Sequence, residues 1–139
     1  MNVKIDVISN REVFEQAAQQ ALENAMEQCG LLAEAYAQME LTRQNAVDTG
    51  NLRNSVTHKV VDNSNEVAMY VGTDVEYGTY VEMGTGKYAK GGRQDPWAFQ
   101  DSKGDWHMTS GMKARPFVKP AIADHVDVYK KVIKETLKG

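Results

Sequence analysis

Between residues 14 and 39 apolar side chains recur every three or four positions: Phe14, Ala18, Leu22, Ala25 or Met26, Cys29, Leu32, Tyr36 and Met39. That spacing is one stripe of an α-helix, and Glu12, Glu15, Glu23, Glu27, Glu34 and Glu40 lie mostly off it. Continued to Ala46, such a helix would be on the order of 50 Å long, more than a compact domain of this size needs. Gly30 costs about 1 kcal/mol in its middle without breaking it. Ser9 or Asn10 can cap its start, and residues 3–8 alternate apolar and polar as a half-buried strand does. A stripe this long must be covered by the rest of the chain. With 139 residues and 15.5 kDa the expectation is one domain, 1–139, burying about two-thirds of its unfolded surface.

Beyond the stripe the residue pattern predicts a small sheet and a second helix. Asp48 or Thr49 can cap a short helical turn over residues 51–54. Residues 55–61 and 67–72 read as two strands of a β-hairpin around the turn 62–65. Residues 77–83 read as a helical turn ended by Gly84. Residues 84–92 hold Gly84, Gly86, Gly91 and Gly92 without an apolar period and are flexible by composition. Residues 97–100 and 106–109 flank a turn containing Gly104, which gives a second hairpin. Residues 114–120 lead into a second amphipathic helix with the stripe Ile122, Val126, Tyr129, Ile133 and Leu137, and Pro120 suits its first turn. The elements so predicted are a long N-terminal helix, two β-hairpins and a C-terminal helix, with 85–113 a flexible loop and hairpin insertion.

Charge is unevenly placed. The net charge is −3, against a simple nucleic-acid binder. Residues 1–50 carry −5 and residues 51–83 carry −3, whereas residues 84–119 carry +4. An acidic end and a basic loop suit either a ligand-binding loop or head-to-tail self-association. The longest apolar run, residues 67–71, is far short of the roughly 20 residues of a membrane span. Residues 1–20 carry acids and no apolar core, so no secretory leader is expected.

Each candidate chemistry has a simpler reading. Residues 84–89 match G-x-G-x-x-A, but a dinucleotide loop needs a strand before it and a helix after it, and Lys90-Gly91-Gly92 opens none. His58, His107 and His125 are scattered and lack metal-ligand spacing, which makes them surface or interface histidines. Cys29 falls on the apolar stripe among glutamates, the place of a core residue. Glu76 and Glu82 could pair as carboxylates, a pairing that helix surfaces produce constantly. No catalytic, cofactor-binding or metal-binding residue is therefore predicted. Lys87, Lys90, Arg93, Lys103 and Lys113 interleave with Tyr88, Trp97, Phe99 and Trp106. Such a segment could stack single-stranded nucleic acid over 87–113. It could equally be a protein interface built on Lys87, Tyr88, Arg93, Trp97, Phe99 and Trp106. The interface is preferred because the remaining chain is acidic.

Four segments taken in order resemble a known family. They are Val47-Asp48-Thr49-Gly50-Asn51-Leu52-Arg53-Asn54-Ser55-Val56; then Val71-Gly72-Thr73 running into Tyr77-Gly78-Thr79-Tyr80-Val81-Glu82-Met83-Gly84-Thr85; then Ala114-Arg115-Pro116-Phe117-Val118-Lys119-Pro120-Ala121; and a closing helix. The order resembles the head–tail joining, or tail-completion, proteins of long-tailed phages, the gene-ten family of phage HK-ninety-seven. The resemblance spans about residues 11–138. It implies an α+β fold, with a long N-terminal helix and a C-terminal helix packed on a small antiparallel β-sheet. It implies a non-enzymatic phage or prophage virion protein that forms a ring at the head–tail junction and resides in the host cytoplasm before assembly. The implied partners are further copies of itself and neighbouring head-connector or tail-tube and terminator proteins, with no membrane and with DNA at most passing through. It also implies roles for matching residues. Thr49 and Gly50, with Leu52, would begin the short helix that turns the chain into the sheet. Tyr80, Glu82 and Gly84 would shape the exit into the variable loop. Arg115, Pro116 and Phe117 would anchor the last helix, with Phe117 buried.

Overall fold

The computed structural model describes residues 2–5, 16–44, 49–63, 66–101 and 103–138. The expected cap at Ser9 or Asn10, the start of the stripe at Phe14 and the Asp48 cap lie outside them. Of the strand expected over 3–8, the described part is β1 (Asn2–Ile5).

The long helix is α1 (Gln16–Gln44), 29 residues and so about 43 Å long. It is followed by α2 (Thr49–Ser55), β2 (Thr57–Asp62), β3 (Val67–Gly72) and α3 (Tyr77–Met83). Strands pair antiparallel in the order β1-β3-β2, with Val3 and His58 both opposite Val71. In this register Val67, Met69 and Val71 share the face that α1 covers, and all three are buried.

α1 packs on β2 and β3 and also on the two C-terminal helices, α4 (Val118–Ala123) and α5 (Val126–Lys138). Its buried line is Leu22, Ala25, Met26, Cys29, Ala33, Ala37 and Leu41, which meets Leu52, Val81, Phe117, Val118, Ala121 and Tyr129 in one core. The expected stripe therefore needs correction after Cys29: Leu32 and Tyr36 sit at the core's edge, and Met39 faces outward, 64% exposed. Cys29 is buried as expected, and burial pushes its thiol up to about 11.

The expected single C-terminal helix is two. The break at Asp124 and His125 is held from both sides: the Tyr129 hydroxyl donates to the Ala121 carbonyl at 2.6 Å, and the His125 ring stacks on Tyr36 at 3.5 Å. Tyr129 is buried, whereas Val126 and Leu137 of the expected stripe are exposed.

Candidate functional site

Residues 84–116 leave this body and return to it at one place. Gly84 ends α3 with φ 79°. From there the chain runs beside the returning segment: the Thr85 amide donates to the Met112 carbonyl (2.9 Å), the Lys87 amide to the Ser110 carbonyl (3.0 Å), and the Met112 amide to Thr85 Oγ1 (2.8 Å). Gly86 and Gly111 both have positive φ, 61° and 115°. A Cβ on Gly86 would overlap the Ser110 carbonyl, and one on Gly111 the Thr85 carbonyl. Glycine at both positions is what lets the two backbones approach. The sequence pattern read this stretch only as flexible. The G-x-G-x-x-A string follows a helix and opens a 3-10 turn, Gly86–Tyr88, so it lacks the strand and helix of a dinucleotide loop.

Beyond that junction stands a two-stranded hairpin, β4 (Trp97–Gln100) with β5 (Trp106–Thr109). No other described helix or strand packs extensively on it. Its turn is organised by Asp101. Oδ1 accepts from the amides of Lys103 and Asp105, both at 2.9 Å, and Oδ2 meets His107 Nε2 at 2.7 Å. The His107 contact, aided by the Asp105 amide, holds the Asp101 carboxyl below its usual range.

The register splits the candidate aromatics between two faces. Trp97 lies opposite Thr109 and Phe99 opposite His107, whereas Ala98 lies opposite Met108 and Gln100 opposite Trp106. Side chains directly opposite share a face. One face thus carries Trp97, half-buried under the Arg93 guanidinium (5.8 Å), and Phe99, stacked with His107 (5.4 Å). The other carries Trp106, Met108 and Ala98, with Trp106 68% and Met108 69% exposed. Met108 was absent from the sequence-derived set, although the alternation Trp106-His107-Met108-Thr109 is its signal. Lys87 Nζ lies 5.2 Å over the Tyr88 ring. Tyr88 and Trp97 thus each carry a cation over one ring face.

The return of the chain is fixed by Glu82. This carboxylate is 7% exposed; Oε1 accepts from the amides of Phe117 (2.9 Å) and Val118 (2.8 Å), and Oε2 from that of Lys119 (3.2 Å). The next residue, Pro120, has no amide donor, so the first turn of α4 leaves no such donor unmatched. The Arg115 amide donates to the Val81 carbonyl, and Gln44 Nε2 donates to the carbonyls of Arg115 and Pro116. Phe117 is fully buried. Glu76 is exposed at the start of α3, so Glu82 caps a helix and forms no carboxylate pair with it. Of the other matching positions, Thr49 and Gly50 open α2, Leu52 is buried, and Tyr80 is exposed beside Glu82 on α3.

His58 on β2, expected to be a surface or interface histidine, is turned into the fold, with its side chain 9% exposed. Nδ1 meets Glu34 Oε1 at 2.6 Å and Nε2 meets Glu27 Oε1 at 2.5 Å, clasping the sheet to α1. Burial opposes charge on the ring, but the hydrogen bonds and charges of Glu34 and Glu27 outweigh it and raise its pKa above the ordinary value. The ring lies directly on Gly30, where any Cβ would collide with it. Among the described residues no group of three His, Cys, Asp or Glu side chains is placed to hold a metal, and no helix is long and apolar enough to cross a membrane.

A family model described as "Bacteriophage HK97-gp10, putative tail-component" matches residues 3–84. The match ends where the junction begins, so residues 114–121, on which the resemblance also drew, lie beyond it. No curated protein and no solved structure matches the chain.

Proposed function

The chain belongs to the HK97-gp10-like family of bacteriophage tail components, and we propose that within the virion it joins head to tail, as a non-enzymatic ring at their junction. One observation carries this reading. A β-hairpin with exposed Trp106 and Met108 stands off the body on its own anchored stem. Apolar surface of this kind marks a contact with another protein. A two-stranded hairpin is marginal by itself, so burial against a neighbour completes it. The neighbours are further copies of the chain and the head-connector or tail-tube and terminator proteins. Net negative charge suits a conduit through which DNA passes without sticking.

The test is Trp106→Ala. Far-UV circular dichroism and melting temperature of the purified monomer should stay within about 2 °C of the wild type, as for other exposed positions. In a phage complementation assay the same variant should leave heads without tails. Unfolding of the variant, or normal joining, would refute the role.

A further inference from the structure

A second exposed apolar surface lies on α1. Leu31, Ala35 and Met39 succeed one another at four-residue spacing on its outer side, about 12 Å end to end. Leu31 is 56% and Met39 64% exposed. Around Met39 the surface sinks into a shallow depression of about 570 Å³, walled by Thr42, Arg43 and, from α2, Arg53. Arg53 donates to Thr42 Oγ1 at 3.2 Å, and Arg43 is paired with Glu40 at 2.8 Å.

Building on the assembly reading above, we infer that this depression receives the Trp106–Met108 face of the hairpin from a second copy of the chain. The chemistry of the two surfaces matches. Trp106, Met108 and Ala98 offer an indole, a thioether and a methyl, and Leu31, Ala35 and Met39 offer the aliphatic bed. Arginines beside such a bed stack on an indole face. The turn that leads into Trp106, residues 101–105, carries Asp101 and Asp105 against one lysine, Lys103, a net negative charge that complements the two arginines. An indole with apolar neighbours, ringed by polar groups, is the composition of an interface hot spot.

The shapes set the symmetry. One surface is a strand face and the other a helix groove, so the contact is heterologous. A copy that lends its hairpin to one neighbour keeps its groove for another, and the chain of contacts closes into a ring when the rotation permits. Both surfaces are exposed in the single chain, so the hairpin does not fold back into its own groove.

Cysteine pairing tests the contact. Cys29 is buried with its thiol pushed up to about 11, which keeps it out of reaction near neutral pH. Met39→Cys and Met108→Cys are made separately, mixed in equal amounts and treated with a short bismaleimide. The expected result is a covalent dimer in the mixture and none in either variant alone, with a ladder of species when one chain carries both changes. Met39→Glu should raise the dissociation constant between copies at least about tenfold, measured by sedimentation, with an unchanged melting temperature. Three results overturn the inference. If the wild type assembles but the mixture gives no cross-link, the groove is wrong while the ring survives. If a single variant cross-links as well as the mixture, the contact is two-fold. If Met39→Glu joins heads to tails normally while Trp106→Ala does not, the hairpin's partner is a different virion protein. The complementation result for Trp106→Ala alone decides the assembly reading.

Discussion

Glu82 offers the sharpest test of how the hairpin's return is anchored. Its carboxylate takes three backbone amides, at 2.9, 2.8 and 3.2 Å. In Glu82→Gln one carbonyl oxygen remains to accept from Phe117 and Val118. The new amide nitrogen replaces Oε2 and points a donor at the Lys119 donor. A hydrogen bond to a charged group contributes about 1.5–3 kcal/mol and a neutral one about 0.5–1.5. Two bonds weakened by about 1 kcal/mol each and the third, the longest, lost at about 1.5 kcal/mol amount to roughly 3.5 kcal/mol. At about 4 °C per kcal/mol for a chain of this length, the variant should melt about 14 °C below the wild type. Glu82→Ala should cost more, about 4–5 kcal/mol, because all three amides lose their acceptor. Glu76→Gln, exposed on the same helix, serves as control and should move the transition by no more than about 2 °C. Circular dichroism melts with matching urea titrations measure all three. If Glu82→Gln melts within about 2 °C of the wild type, the carboxylate does not hold the strap and the reasoning fails.

The His58 clasp predicts a pH dependence of known sign. A raised folded pKa means that the stabilisation is complete below the ordinary imidazole value of about 6.5 and is lost as pH rises through the folded value. The stability gap between wild type and His58→Gln should therefore narrow as pH rises above about 6.5; a flat or widening gap in urea titrations at stepped pH contradicts the clasp. Leu22→Ala should cost about 2–5 kcal/mol, since Leu22 is 1% exposed, while Met39→Ala on the outer face should cost less than about 0.5. Equal losses in denaturant unfolding would put Met39 back on the buried line.

The long helix was legible because Leu22, Met26 and Cys29 are large or apolar enough to mark a face. Beyond Cys29 two adjacent faces each carry an apolar line at helical spacing. One runs through Leu32, Tyr36 and Met39, the other through Ala33, Ala37 and Leu41. Periodicity favours the bulkier set, but the alanine line is buried because its small side chains let the sheet and the C-terminal helices come close. The hairpins were legible because turn residues and alternation are local signals. The parts played by Glu82 and His58 were not: Glu82 stood out only as a possible carboxylate pair and, through the resemblance, as shaping the exit into the loop, because the amides it caps lie 35 to 37 residues onward, and the glutamates that hold His58 lie 24 and 31 residues back. The break between α4 and α5 was hidden for the same reason: it is held in part by Tyr36, far back in the chain. Within the candidate site, Trp106 was readable as an exposed aromatic, but its separation from Trp97 and Phe99 required the cross-strand register.

The backbone ladder between residues 85–87 and 110–112 has an evolutionary consequence. Entry and exit of the hairpin lie a hydrogen bond apart, and the core residues are all contributed by segments outside them. Such a stem works like the socket of an interchangeable tool. Residues 89–109 can be lengthened, shortened or replaced by another cassette while the helices and sheet keep their packing. Recombination across a few glycine-rich codons would thus exchange the insert and leave the body that carries it untouched.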